Sequence, residues 1–112
     1  MDPHPDPLAV DVRLSGGTVI VVLSGDLDLA SSRSLAARLR DIQTGQPRPT
    51  GQPRRLVFDL SRVGFMDCAA ARLIAGTARS LPDGQRPVIR SASPLVRRVL
   101  ELTGLADQCE LV

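Results

Sequence analysis

Four aspartates and a thiol are the side chains of this 112-residue chain whose type and placement could do chemistry: Asp26, Asp28, Asp59, Asp67 and Cys68. Asp67 and Cys68 stand in Gly64–Leu73, GFMDCAAARL, which reads as the end of a buried strand, one acidic residue and the first turn of a helix. Asp26 and Asp28 follow the β-branched run Thr18–Leu23, so they too fall at the carboxyl end of a strand. In open sheets with parallel strands, sites are built at that end. Asp26, Asp28, Asp67 and Cys68 are therefore expected to share one edge of the molecule. Asp59 sits inside a strand pattern, where a solvated edge or a neighbouring arginine accounts for it.

What is missing narrows the chemistry. The chain has no glycine-rich phosphate loop and no metal-spaced Cys/His cluster, so no cofactor or metal ligand is assigned. Its one histidine, His4, lies in a Pro-rich start. Hydrolytic and metal enzymology are therefore disfavoured, and a non-enzymatic protein is expected. All 14 basic residues are arginines, scattered along the chain with short doublets at Arg54-Arg55 and Arg97-Arg98. With a net charge of +2 and neither Trp nor Tyr, there is no clustered basic face and no stacking platform for nucleic acid. The core must come from Leu, Val, Ile and Ala. No apolar run approaches the roughly 20 residues that span a bilayer. Residues 1–7, with three prolines, two aspartates and no basic segment, do not resemble a secretory signal. A cytoplasmic protein with reduced cysteines is the expectation.

The elements that must position these residues follow from periodicity. Residues 1–7 read as a disordered leader, and residues 8–112 as a single domain. Leu8, Val10, Val12 and Leu14 alternate with Ala9, Asp11 and Arg13, the period of a half-buried strand. Ser15-Gly16-Gly17 is a hairpin turn signal. Thr18–Leu23 reads as a central strand covered on both faces, broken by the polar turn Ser24–Asp28. Leu29, Leu35, Leu39 and Ile42 predict a helix over about 30–43.

The tandem hexapeptides TGQPRP and TGQPRR then predict a mobile loop over 44–55. Strands are expected at 56–60, continuing through 63–66, and at 87–90. Helices are expected at about 68–80 and from Pro94, the latter capped by Ser93, lined by Leu95, Val96, Val99, Leu100 and Leu102 and stopped by Gly104. Cys109–Val112 is long enough for a short edge strand. The order β, β, α, β, α, β, α, β implies an α/β fold, a mixed sheet of four to five strands with an antiparallel hairpin and parallel βαβ units.

Taken together, Leu23–Asp28, Leu56–Leu60, Phe65-Met66-Asp67 and Ser93–Leu100 with Thr103-Gly104-Leu105 resemble the STAS domain of bacterial anti-sigma factor antagonists. The resemblance runs from residue 8 to the end. It implies a small switch protein that binds a serine-kinase-type anti-sigma factor and so frees a sigma factor for transcription. The implied partner surface is Gly25, Asp26, Asp28, Asp67, Cys68 and Ala69, with Arg72 at its rim. In the family the kinase phosphorylates a serine directly after the aspartate, in a segment like Asp-Ser-Ser-Gly. Here Asp67 matches the aspartate, Cys68 takes the phosphoacceptor position, and Ala69 and Ala70 replace the second serine and the glycine.

A thiol is not an ordinary substrate for a serine kinase, and the first turn holds no Ser or Thr; Thr77 is more than two turns further on. The usual off-switch is therefore expected to be absent. Two accounts of Cys68 stand side by side. Either it is a small, inert replacement, or the helix N-terminus activates it as an oxidant sensor, against the opposing charge of Asp67. Cys109 is the one internal partner for a disulfide, and a parallel last strand places it at the opposite end of the sheet. Two further readings remain: a STAS subunit regulating a transporter or lipid-export ATPase, and a thiol redox protein using Cys68.

Overall fold

Gly16, in the left-handed region at φ 61°, and Gly17 fold the first apolar stretch back on itself. The computed structural model describes residues 8–44, 55–82 and 84–112. The expected leader (1–7) and most of the expected loop (45–54) lie outside the described residues. Strand β1 (Leu8–Ser15) pairs antiparallel with β2 (Thr18–Leu27). Helix α1 (Ser32–Thr44) leads to β3 (Arg55–Met66), α2 (Cys68–Gly76) to β4 (Val88–Arg90), and α3 (Pro94–Leu102) to β5 (Glu110–Leu111). The sheet order is β1-β2-β3-β4-β5, parallel from β2 onward. The mixed α/β architecture expected from the sequence is the one observed.

Each crossover steps to the next strand in the same direction. Right-handed connections then put every helix on the same face of the sheet. This corrects the expectation for β2: among the described residues, helices cover only one of its faces. Val19, Val21 and Leu23 are buried beneath the helices, whereas Thr18, Ile20 and Val22 are only half-buried on the open face. Leu35, Leu39 and Ile42 of α1, Ile74 of α2 and Val96 and Leu100 of α3 close over Leu56, Phe58 and Leu60 of β3 in one core.

Several boundaries also differ. Ser24–Asp28 does not break β2, which runs to Leu27. The polar residues are absorbed by register irregularities between Val22 and Ser24 and between Gly25 and Asp26. A bulge bends a strand without ending it, and Gly25 at φ 110° supplies backbone freedom that other residues lack. β3 is likewise continuous through Ser61 and Arg62. Thr44 and Arg55 belong to α1 and β3, not to a loop. The α-helical part of 68–80 ends at Gly76 and tightens into a 3-10 turn, Thr77–Ser80. Leu29 precedes α1 and is 79% exposed, and Leu95 and Leu102 are also exposed. Counting apolar residues overestimated the buried stripe of α3, whose fully buried members are Val96 and Leu100. Its ends are as expected: Ser93 Oγ accepts from the Val96 N–H at 3.2 Å, and Gly104 is left-handed at φ 76°.

Asp59 meets the arginine it was expected to meet. It lies opposite Arg90 in the β3–β4 register, with Nη2 3.3 Å from Oδ2, and the Ser61 N–H donates to Oδ1 at 3.0 Å. That N–H chiefly, with Arg90, holds the carboxyl below the ordinary carboxylate range against the opposing effect of partial burial. A carboxyl depressed in the folded state stabilises above its unfolded pKa, about 4, and the stabilisation fades as pH falls through the folded value. Asp59→Asn is accordingly expected to be less stable than wild type at neutral pH, and the difference closes at acid pH, once pH falls below the lowered folded-state value. Urea unfolding at both pH values measures this.

Candidate functional site

The carboxyl ends of β2 and β3 are stitched together one residue beyond the ladder. The Asp67 N–H donates to the Leu27 carbonyl at 2.9 Å, which fixes the start of α2 beside the end of β2. Asp26 and Phe65 are paired across the strands, as are Leu27 and Met66. Leu27 and Met66 point into the core and are fully buried, so Asp26 and Phe65 face the other way and are exposed. Between them the bulge leaves Gly64 unpaired, and a Cβ there would lie 3.6 Å from Asp26 Oδ1. The structure thus brings Gly25, Asp26, Asp28, Asp67 and Cys68 to one rim.

The three rim carboxylates have different duties. Asp67 is the N-cap of α2: its backbone is extended, and Oδ1 accepts the Ala70 N–H at 2.8 Å. This satisfies one of the N–H groups that a helix start leaves open. Asp28 closes the turn into α1, with Oδ1 accepting the Ser31 N–H at 3.1 Å. The Asp26 carboxylate has no hydrogen bond or ion pair among the described residues and is exposed.

Ser31 holds the first turn together, and the sequence reading passed over it. The side chain is 1% exposed. Its hydroxyl donates to the Asp26 carbonyl at 2.8 Å and accepts the Asp28 N–H at 3.0 Å. A serine three residues after an Asp and just before an apolar helix pattern is the signal that could have found it. Ser31→Ala leaves a backbone carbonyl and an N–H without their partner, a loss of about 2 kcal/mol. For a domain of this size the melting temperature falls by roughly 10 °C, readable by circular dichroism.

Cys68 is the first residue of α2 and its side chain is exposed, as is that of Ala69. Cys109 is buried and free, and burial pushes its thiol up to about 11. At neutral pH it is a protonated, inert sulfur. It sits at the amino end of β5, which is parallel to β4, so the two cysteines lie at opposite ends of the sheet. Thr77, the nearest downstream hydroxyl on this segment, is 1% exposed and donates to the Ile74 carbonyl. It offers no alternative acceptor.

Arg72 lines a shallow groove of about 360 Å³ between α1 and α2, with Ser32, Arg33, Ala36, Ala69 and Leu73. Arg33, exposed Leu29 and exposed Phe65 therefore extend the rim beyond the residues expected from the sequence. Among the described residues no three His, Cys, Asp or Glu gather as a metal-binding set, and no helix is long and apolar enough to cross a membrane.

The STAS domain model matches residues 9–111, and the chain belongs to the STAS domain family. Among curated proteins, it is 24% identical over 101 residues to the anti-sigma-F factor antagonist RsfB of Mycobacterium tuberculosis, covering 90% of this chain and 78% of that protein. Among solved structures, it resembles an anti-sigma factor antagonist from Mycobacterium paratuberculosis, at 28% identity and a TM-score of 0.77, covering 96% of this chain and 87% of the other. The unphosphorylated form of the anti-sigma factor antagonist SpoIIAA shares the fold at 24% identity and a TM-score of 0.71, with 93% and 88% covered.

Proposed function

We propose that this STAS domain is an anti-sigma factor antagonist that binds a serine-kinase-type anti-sigma factor through its carboxyl rim and so frees a sigma factor. The similarity to RsfB and to the mycobacterial antagonist structure supports the class. The observation that carries the reading is the rim itself: an unpartnered Asp26 carboxylate, exposed Phe65 and Leu29, and the exposed start of α2 on one edge. This is a docking face with no group poised for catalysis. Gly25 and Ser31 hold it in shape, and Arg72 with Arg33 borders it.

The antagonist is not switched off by serine phosphorylation at the usual site. Cys68 occupies the phosphoacceptor position, and the buried Thr77 cannot substitute. Cys68 acts as a small replacement; with Cys109 inert and distant, an internal disulfide has no partner. Affinity capture from the source bacterium tests the reading, followed by addition of the domain to the captured anti-sigma factor loaded with its sigma factor. Recovery of a kinase-like anti-sigma factor and release of the sigma factor are expected. Recovery of a transporter or lipid-export ATPase, with no anti-sigma factor, would overturn it.

A further inference from the structure

β1 forms one margin of the sheet, and among the described residues no strand lies against its outer side. Such an edge offers backbone N–H and C=O groups to another strand. The hairpin decides which residues carry them. Around a two-residue turn the flanking residues, here Ser15 and Thr18, make the first hydrogen-bonded pair, and such pairs recur at every second position. Arg13 and Asp11 therefore exchange hydrogen bonds with β2, while the backbone groups of Val10, Val12 and Leu14 face outward. On the open face of the sheet Asp11 and Arg13 are exposed and joined by an ion pair of 3.2 Å. On the helix side Val10 and Val12 are partly buried, and Leu14 is left 50% exposed.

We propose that this margin pairs with a second copy of the chain, β1 against β1, antiparallel about a two-fold axis through Val12. The occupant is chosen by charge. With the axis at Val12, the outward groups form hydrogen-bonded pairs between the two Val12 residues and between Val10 and Leu14 of the second copy. The pairs between them set Asp11 against Arg13 of the second copy, twice by symmetry. These are non-hydrogen-bonded positions, where facing side chains come closest. Moving the axis to residue 11 would set Asp11 against Asp11, and moving it to residue 13 would set Arg13 against Arg13. Like charges directly opposite are destabilising, so only the Val12 register is complementary among these. The two ion pairs of the separate copies merge into a ring of four alternating charges, and Leu14 gains Val10 of the second copy as an apolar neighbour. The interface is isologous and closes at two copies.

Sedimentation equilibrium of the full chain over a concentration series, up to millimolar, tests the pairing. Wild type is expected to show a reversible monomer–dimer equilibrium. Arg13→Asp and Asp11→Arg, each placing like charges opposite one another twice, should each weaken it by about tenfold. The double exchange Asp11→Arg with Arg13→Asp restores self-complementarity and should recover the wild-type equilibrium. Both positions are exposed, and circular dichroism checks that every variant is folded. A wild type that stays monomeric at every concentration, as an edge reserved for another protein would, overturns the proposal. So does a dimer that the single changes leave intact or that the double exchange fails to recover.

Discussion

On the function proposed above, Cys68→Ser is expected to gain a phosphorylation switch: incubated with the proposed kinase-type anti-sigma factor and ATP, the variant is labelled at position 68 and wild type is not. The serine hydroxyl would stand where the thiol stands, exposed at the first position of α2, with Asp67 directly before it. Phosphate there is compatible with the folded domain, because the helix start presents free N–H groups and a favourable dipole. It adds about −1.5 to −2 charges to a rim that already carries Asp26. A partner that matches the unmodified rim then meets an uncompensated charge and the cost of removing its water. Binding should fall by about two tenfold steps, each about 1.4 kcal/mol, with no loss of melting temperature. Label in wild type would show that the off-switch is intact. Labelled Cys68→Ser that binds as tightly as the unlabelled form would separate position 68 from the docking face.

Asp26→Arg is the second large effect. Among the described residues the Asp26 carboxylate has no hydrogen bond or ion pair, so on the proposed function its charge faces the partner, and its removal frees no buried group. Reversing the charge should weaken partner binding by at least about tenfold while changing stability by less than about 0.5 kcal/mol. Asp28→Ala behaves differently, because the Asp28 carboxylate closes the turn onto Ser31 and its loss is read in stability. Asp59→Ala, tied to Arg90 in the sheet, leaves partner binding unchanged. Titration calorimetry with the purified partner separates the three. Equal losses for Asp26→Arg and Asp59→Ala would contradict the mapping.

Much of this arrangement is legible in the amino acids, because the signals are local. The hairpin glycines, the Ser93-Pro94 helix start and the Gly104 stop each follow from the conformational preference of one or two residues. The rim follows from topology: parallel strands put their carboxyl ends together, so Asp26 and Cys68 come to one edge of the sheet although far apart in sequence. What was misread depends on non-local geometry. A β-branched run looks the same whether one face is covered or two, and only the constant stepping direction of the crossovers leaves the far face of β2 open. Gly25 and Gly64 let the strands bulge instead of ending, which a polar, glycine-containing stretch does not announce. Leu29 and Phe65 looked like core by type, and their exposure emerged only once the turn and the pairing register were fixed. The different duties of Asp26, Asp28 and Asp67 likewise depend on which backbone N–H each carboxylate reaches.

The most direct test is amide chemical-shift mapping of the isotope-labelled domain as unlabelled anti-sigma factor is added. The largest changes are expected to cluster at residues 25–29 and 65–72, with Asp26, Cys68 and Ala69 among them, while Asp59 and Arg90 on the open face stay unmoved. Perturbations concentrated on the open face, with the rim unchanged in the saturated complex, would contradict that expectation.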